Sequence, residues 1–183
     1  MNNIIGAVMA VGIVALIFAY IKATWVSKQE VGTEKMASIG NAIREGAMAY
    51  LSRQYRVLFG FVLIVAAALA VGYGMTQGDT GDDVPSKAWI AVSFLLGALC
   101  SGLAGYFGMR VATSANVRTT NAARDGMNKA LSVAFSGGTV MGMSVVGLGL
   151  TGIAALFLIY STMFGENMGI LLEVLAGFSL GAS

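Results

Sequence analysis

The chain has 183 residues, of which 57% are hydrophobic and only 11% are charged, and its net charge is +2. Ordinary soluble domains carry roughly 25% charged residues, so this composition excludes a soluble domain and predicts an integral membrane protein. The small net charge gives no support to nucleic-acid binding, and the absence of histidine, with a single cysteine, excludes His-based triads, His-rich metal sites and an intrachain disulfide.

Four complete apolar runs and the beginning of a fifth follow one another along the chain. The predicted spans are residues 4–21, 41–75, 88–109, 129–164 and 169–183. A spanning helix needs about 20 mostly apolar residues, which the last run does not reach. The pattern predicts an all-α, polytopic membrane helical bundle that forms a single transmembrane region over residues 1–183. Because the fifth run stops inside a helix, we expect the chain to be a piece of a longer protein.

The basic residues are sorted to one side of the predicted spans. Ten of the eleven lysines and arginines lie between span one and the apolar part of span two, which begins at Val57, or between span three and the apolar part of span four. Lys87 lies in the turn-rich segment 76–87 with three aspartates. Loops rich in lysine and arginine stay in the cytoplasm. The sequence therefore predicts an outside N-terminus and cytoplasmic basic segments, the second of which, 110–128, we interpret as a loop.

Several glycines and other small residues repeat at helical spacing. Gly147, Gly149 and Gly152 match the GxGxxG spacing of dinucleotide sites, but that motif must follow a strand, and here it lies inside an apolar run. Small residues four apart let helix backbones approach closely in lipid. We therefore predict helix packing for the glycine motif and for three further pairs: Gly138 with Gly142, Ser101 with Gly105, and Ala98 with Gly102. Cys100, in the same kind of surroundings, is predicted to be a small packing residue.

Two arginines of the second basic segment are candidates for binding an anion. The planar forks of Arg118 and Arg124 could donate paired hydrogen bonds to a phosphate. The same residues could instead mark the cytoplasmic side, contact anionic lipid headgroups or pair with acids of another loop. The sequence favours these structural roles over phosphate binding.

The acidic residues show no pattern of a hydrolytic centre. A two-metal site needs several carboxylates that converge on ions about 4 Å apart, and the acids of the basic segments are scattered. Glu173, in the last apolar run, is close enough to the membrane boundary to reach interfacial water, so a structural or interfacial role is favoured over a role in an ion path. The sequence predicts neither a catalytic residue nor a metal site in this segment.

Three blocks of sequence resemble one family. They are ATSANVRTTNAAR, preceded by GYFGM, then IGNAIREGAMAYLSRQYR at 39–56, and LEVLAGFSLGAS at 172–183. In that order they are similar to the N-terminal quarter of the membrane-bound pyrophosphatases. The resemblance implies an enzyme that, at full length, couples pyrophosphate hydrolysis at the cytoplasmic face to Na+ or H+ export, with the RTTNAAR and GFSLGA blocks closer to the potassium-dependent sodium pumps.

The resemblance also implies an architecture and a site. Family members are homodimers in the cell membrane that depend on Mg2+ and often K+, with two concentric rings of helices. Helices one to four would be outer-ring scaffold, and the fifth would begin the inner ring, where Ser183 matches the serine of a GAS motif that lines the ion gate. The motifs that hold magnesium and pyrophosphate come later in the family, so this segment alone is expected to be inactive. The alternative is a small, non-catalytic membrane subunit or transporter component.

Overall fold

The computed structural model describes residues 2–76, 85–165 and 168–183. These residues form five helices: α1 (Asn2–Ser27), α2 (Glu34–Thr76), α3 (Pro85–Ala122), α4 (Met127–Phe164) and α5 (Met168–Ala182). No strand occurs within the described ranges. Four of the helices are long and apolar enough to cross a membrane, and α5 is a shorter apolar helix. The prediction of an all-α membrane bundle with four complete spans and the start of a fifth is confirmed.

The helices extend beyond the apolar runs that predicted them. Residues 110–122, which the sequence analysis assigned to a loop, continue α3, so that assignment was wrong for this stretch. The apolar run ends there, but no glycine or proline interrupts the backbone, and the hydroxyl of Thr113 donates to the carbonyl of Met109, one turn earlier in the helix, at 2.9 Å. α2 likewise begins before residue 41, because the Thr33 hydroxyl accepts a hydrogen bond from the Met36 amide at 3.3 Å and caps the helix.

Two glycines with positive φ lie at the two ends of α4, one before the helix and one directly after it. Gly126, with φ of 132°, allows the chain to turn between α3 and α4, and Gly165, with φ of 62°, ends α4 in the left-handed conformation that favours glycine. The break between the predicted spans 129–164 and 169–183 therefore begins at Gly165. Residues 166–167, and most of the predicted turn-rich segment 76–87, lie outside the described residues.

The chain forms two compact units. Unit 1 comprises Met1–Gly12, Arg56–Gly102 and Leu148–Ser183, and unit 2 comprises Ile13–Tyr55 and Leu103–Gly147. The core of unit 1 is a cluster of buried side chains from α3, α4 and α5: Ile90, Leu156, Tyr160, Leu171, Val174 and Phe178. Within it the hydroxyls of Ser93 and Tyr160 share a hydrogen bond of 2.9 Å, which satisfies two polar groups inside an apolar core.

In unit 1, helix α5 lies against α3 with the two backbones in contact. A Cβ atom added to Gly181 would meet the Phe94 carbonyl oxygen, and one added to Gly177 would lie 2.7 Å from the Ile90 carbonyl oxygen. On the other helix, a Cβ at Gly97 would meet the Phe178 carbonyl oxygen. Only glycine permits this approach, which makes the pair an example of small-residue packing between membrane helices.

Unit 2 is also packed through small residues. Its buried positions include many alanines, and a Cβ added to Gly137 would lie 2.8 Å from the Cβ of Ala115, which brings α4 close to α3. Gly40 of α2 lies close to Val117 of α3 in the same way, since a Cβ added to Gly40 would lie 3.0 Å from the Cβ of Val117. Alanine and glycine at these contacts keep α2, α3 and α4 close together, as expected for helices that associate in lipid.

The outer faces of the helices are apolar. On α2, the side chains of Val57, Phe59 and Ile64 are 65–72% exposed, and similar residues follow along α1 and α3. A soluble protein rarely exposes such large contiguous apolar surfaces. These faces are suited to contact lipid acyl chains, in agreement with the composition.

Candidate functional site

The C-terminal end of α1 is held by an arginine from α3. The guanidinium of Arg118 donates from Nε to the carbonyl of Gln29 at 3.0 Å and from Nη2 to the carbonyl of Ser27 at 3.1 Å. The last carbonyls of a helix have no partner inside the helix and carry the negative end of its dipole, so a cation that donates to them stabilises the end. Arg118 therefore has a structural role as a cap for α1.

The same guanidinium is fixed on its own helix. Its Nη1 donates to the carbonyl and the hydroxyl of Ser114, at 2.8 Å and 2.7 Å. Asn121, one turn later, donates to the carbonyl of Glu30 at 3.4 Å. Because four of the five N–H groups of Arg118 are used within the protein, little of its donor capacity is left for a phosphate.

A cavity of about 450 Å³ lies beside this contact. Its lining includes the cations Lys28, Arg118 and Lys129 and the acids Glu30 and Asp125. Lys129 and Asp125 form an exposed ion pair of 3.2 Å, one helical turn apart. The two signs of charge largely balance, so this cavity shows no preference for an anion.

Arg124 does not join Arg118 in a common site. Its side chain is exposed and makes no hydrogen bond or ion pair to any described residue, and it lines neither of the two cavities that Arg118 lines. The proposed pairing of these two arginines around one phosphate has no geometric support. Their separate contacts with phosphate or lipid stay predictions.

Two further arginines, which no sequence motif indicated, share a cavity with Arg118. Arg44 of α2 and Arg110 of α3 line a cavity of about 260 Å³ together with Arg118. Three of the polar residues that line this cavity could have been grouped from sequence. Arg110, Ser114 and Arg118 are spaced four residues apart and so lie on one face of a helix. Arg44 could not be placed beside them without the packing of α2 on α3.

Both residues that were predicted as site candidates in α5 have exposed side chains. Ser183 is exposed, and its hydroxyl donates to the carbonyl of Ser179 at 2.9 Å, so it is held against its own helix. Glu173 is also exposed and has no hydrogen bond or ion pair to a described residue. At 1.5 Å per residue the two lie about 15 Å apart along the helix axis. Gly177 and Gly181, which pack on α3, lie four and eight residues after Glu173, so Glu173 is at the edge of the face that contacts α3.

The glycine motif of α4 lies inside the helix, with no strand before it. A Cβ at Gly152 would lie 2.8 Å from Cζ of Phe178 and 3.4 Å from Sγ of Cys100, so Gly152 and Cys100 pack against the core of unit 1. Gly138 and Gly142, in contrast, have no neighbouring atom within 4 Å of an added Cβ. Packing is thus confirmed at Gly152, whereas Gly138 and Gly142 have open space at the position of an added Cβ.

No group of three Cys, Asp or Glu side chains that could hold a metal ion occurs among residues 2–76, 85–165 and 168–183. What these ranges do contain is four apolar helices of spanning length, close contacts through glycine and a gathering of arginines at the polar ends of α2 and α3. These features define the class as a polytopic helical membrane protein.

The chain belongs to the inorganic H+ pyrophosphatase family, whose model matches residues 13–183. It is 47% identical, over 94% of its length, to a Clostridium tetani protein named as a candidate K+-stimulated pyrophosphate-energized sodium pump. It is 41% identical over 94% of its length to K+-insensitive pyrophosphate-energized proton pump 2 of Moorella thermoacetica, and 38% identical over 98% to the K+-insensitive pyrophosphate-energized proton pump of Caldanaerobacter subterraneus. The chain spans only 22–25% of the length of these three relatives.

Proposed function

We propose that this chain is the N-terminal part of an ion-translocating membrane pyrophosphatase, which couples pyrophosphate hydrolysis at the cytoplasmic face to the export of Na+ or H+. The observation that carries the proposal is the family match over residues 13–183, together with relatives that are named as pyrophosphate-energized pumps. The alternative, a small non-catalytic membrane subunit, is disfavoured because these relatives are pumps about four times as long as this chain.

In this proposal the segment is scaffold. α1 to α4 would belong to the outer ring, and α5 would begin the inner ring with Ser183 at the ion gate. The exposure of Ser183 supports this role, because its side chain is not buried against α3 or α4. The basic ends of α2 and α3 would lie at the cytoplasmic side of the cell membrane, with the N-terminus outside.

The cofactors of the whole protein would bind outside this segment. Mg2+ prefers several carboxylate or phosphate oxygens in octahedral geometry, and the described residues bring no three acids together. No residue here is therefore assigned to Mg2+ or K+. The relatives' names include both K+-stimulated and K+-insensitive pumps, and both sodium and proton pumps, so the transported ion is proposed only as Na+ or H+. A homodimer is proposed as the assembly.

The test is to reconstitute the full-length protein in liposomes, add pyrophosphate and Mg2+, and follow phosphate release together with Na+ uptake and internal pH. We expect phosphate release that requires Mg2+ and accumulation of one of the two ions, with no phosphate release by residues 1–183 alone. The control is the same preparation without Mg2+. The proposal is wrong if the full-length protein releases no phosphate, or if the isolated segment does.

A further inference from the structure

The second cavity of unit 2 is surrounded by positive charge alone. Its volume is about 260 Å³, and its polar lining consists of Arg44, Arg110, Arg118, Ser27 and Ser114, with small apolar side chains of α1 and α3 completing the wall. No acidic residue lines it. The larger cavity nearby differs in this respect, since two acids face its three cations.

Two of the three arginines in the smaller cavity, Arg44 and Arg110, have no partner for their charge within the part of the chain that the structure describes. The side chains of Arg44 and Arg110 are exposed, and neither makes a hydrogen bond or an ion pair to a described residue. Arg44 is close enough to Arg118 for the two positive charges to repel each other. Like charges gathered around one space favour an anion in that space, because it would relieve the repulsion.

The donors are arranged to receive an anion with several oxygens. Arg110 and Ser114 lie on one face of α3, next to Arg118, whose N–H groups are already engaged, and Arg44 approaches from α2. Ser114 accepts a hydrogen bond from Arg118, so its own hydroxyl proton remains available to donate. The guanidinium forks of Arg44 and Arg110 are free to bind oxygen pairs, which is the geometry that phosphate oxygens match.

We propose that this cavity binds the phosphate group of an anionic phospholipid headgroup. Arg110 stands at the point where the apolar run of α3 ends, which is the level of a membrane–water interface, and the apolar part of the wall suits the glycerol end of a lipid. Free phosphate or pyrophosphate offers the same chemistry, and the experiment separates these sources. The site goes beyond the proposed pump function, and its test needs no hydrolysis.

The test places the full-length protein in nanodiscs of three parts phosphatidylcholine to one part phosphatidylglycerol. The protein is then released from the nanodiscs, and native mass spectrometry counts the phosphatidylglycerol molecules that it retains. The variant Arg44→Gln/Arg110→Gln removes the two free forks and leaves the Arg118 cap intact. We expect the wild type to retain one more phosphatidylglycerol than the variant. Lipid titration should give an affinity about thirtyfold weaker for the variant, the factor expected for the loss of two basic contacts.

Two further variants keep the test decisive. Arg53→Gln removes a basic residue of α2 that does not line the cavity, and it should bind lipid like the wild type. Arg44→Lys/Arg110→Lys keeps both charges and should restore most of the binding, which a misfolded protein would not do. Displacement of the lipid by millimolar inorganic phosphate or pyrophosphate would assign the site to the free anion, whereas resistance would assign it to the headgroup. Equal binding of the wild type, the Gln pair and Arg53→Gln would overturn the proposal.

Discussion

Replacement of Gly181 by alanine is expected to loosen the contact between α3 and α5 and to lower the free energy of unfolding of unit 1 by about 3 kcal/mol, the upper part of the range for overpacking in a packed interior. The added methyl group would meet the Phe94 carbonyl oxygen, which is backbone and cannot move without displacing its helix. Thermal unfolding of the full-length protein in detergent measures the effect, as a fall of several degrees in the apparent Tm.

Gly149→Ala is the matched control for this prediction. It lies in the same unit, inside α4, and an added Cβ would have no neighbour within 4 Å. Alanine is a better helix former than glycine by about 0.5–1 kcal/mol, so this variant should unfold at the same temperature or slightly higher. If Gly181→Ala were as stable as Gly149→Ala, the close backbone contact between α3 and α5 would be refuted.

The second large effect is expected for Arg118→Gln. The substitution removes the charged donors from the carbonyls of Ser27 and Gln29, and hydrogen bonds from a charged group contribute about 1.5–3 kcal/mol each where they are buried. Because Arg118 is only partly buried, we expect a total loss of about 2 kcal/mol. Hydrogen exchange of the amides at 24–31 should rise, as the end of α1 frays, and the apparent Tm should fall.

Arg124→Gln provides the control, since its side chain is exposed and makes no hydrogen bond or ion pair to a described residue. It should change the unfolding free energy by less than about 0.5 kcal/mol. The pair also separates a structural role from substrate binding. An increased KM for pyrophosphate in Arg118→Gln, with unchanged stability and unchanged exchange at the end of α1, would show that the capping role assigned to this arginine is wrong.

The number and order of the spanning helices could be predicted from sequence because hydrophobicity is a local signal. The runs of apolar residues needed only their own length to be recognised. The extension of α3 through residues 110–122 could not be predicted from hydropathy. Hydropathy indicates where a helix leaves the membrane, but it does not indicate where the backbone hydrogen bonds of the helix end. Thr113 shows the difference, because it is polar and yet remains part of the helix.

The candidate site depended on contacts that sequence spacing does not encode. Arg118 is of a residue type that commonly binds phosphate. In the structure, however, its guanidinium donates to the carbonyls of Ser27 and Gln29, about ninety residues earlier in the chain. A carbonyl is present at every position, so no residue type marks it as a partner. Gly177 and Gly181, four residues apart in α5, did carry a packing signal, and the same rule that was applied to α4 would have found them.

Cysteine labelling is the decisive measurement of whether the basic ends of the apolar helices set their orientation across the bilayer. In a Cys100→Ala background, Thr80→Cys and Thr120→Cys place one thiol in the acidic turn-rich segment and one at the basic end of α3, with no change in charge. A membrane-impermeant maleimide should label Thr80→Cys in intact cells and Thr120→Cys only after permeabilisation. Labelling of both positions from the same side would contradict the predicted orientation of the helices across the membrane.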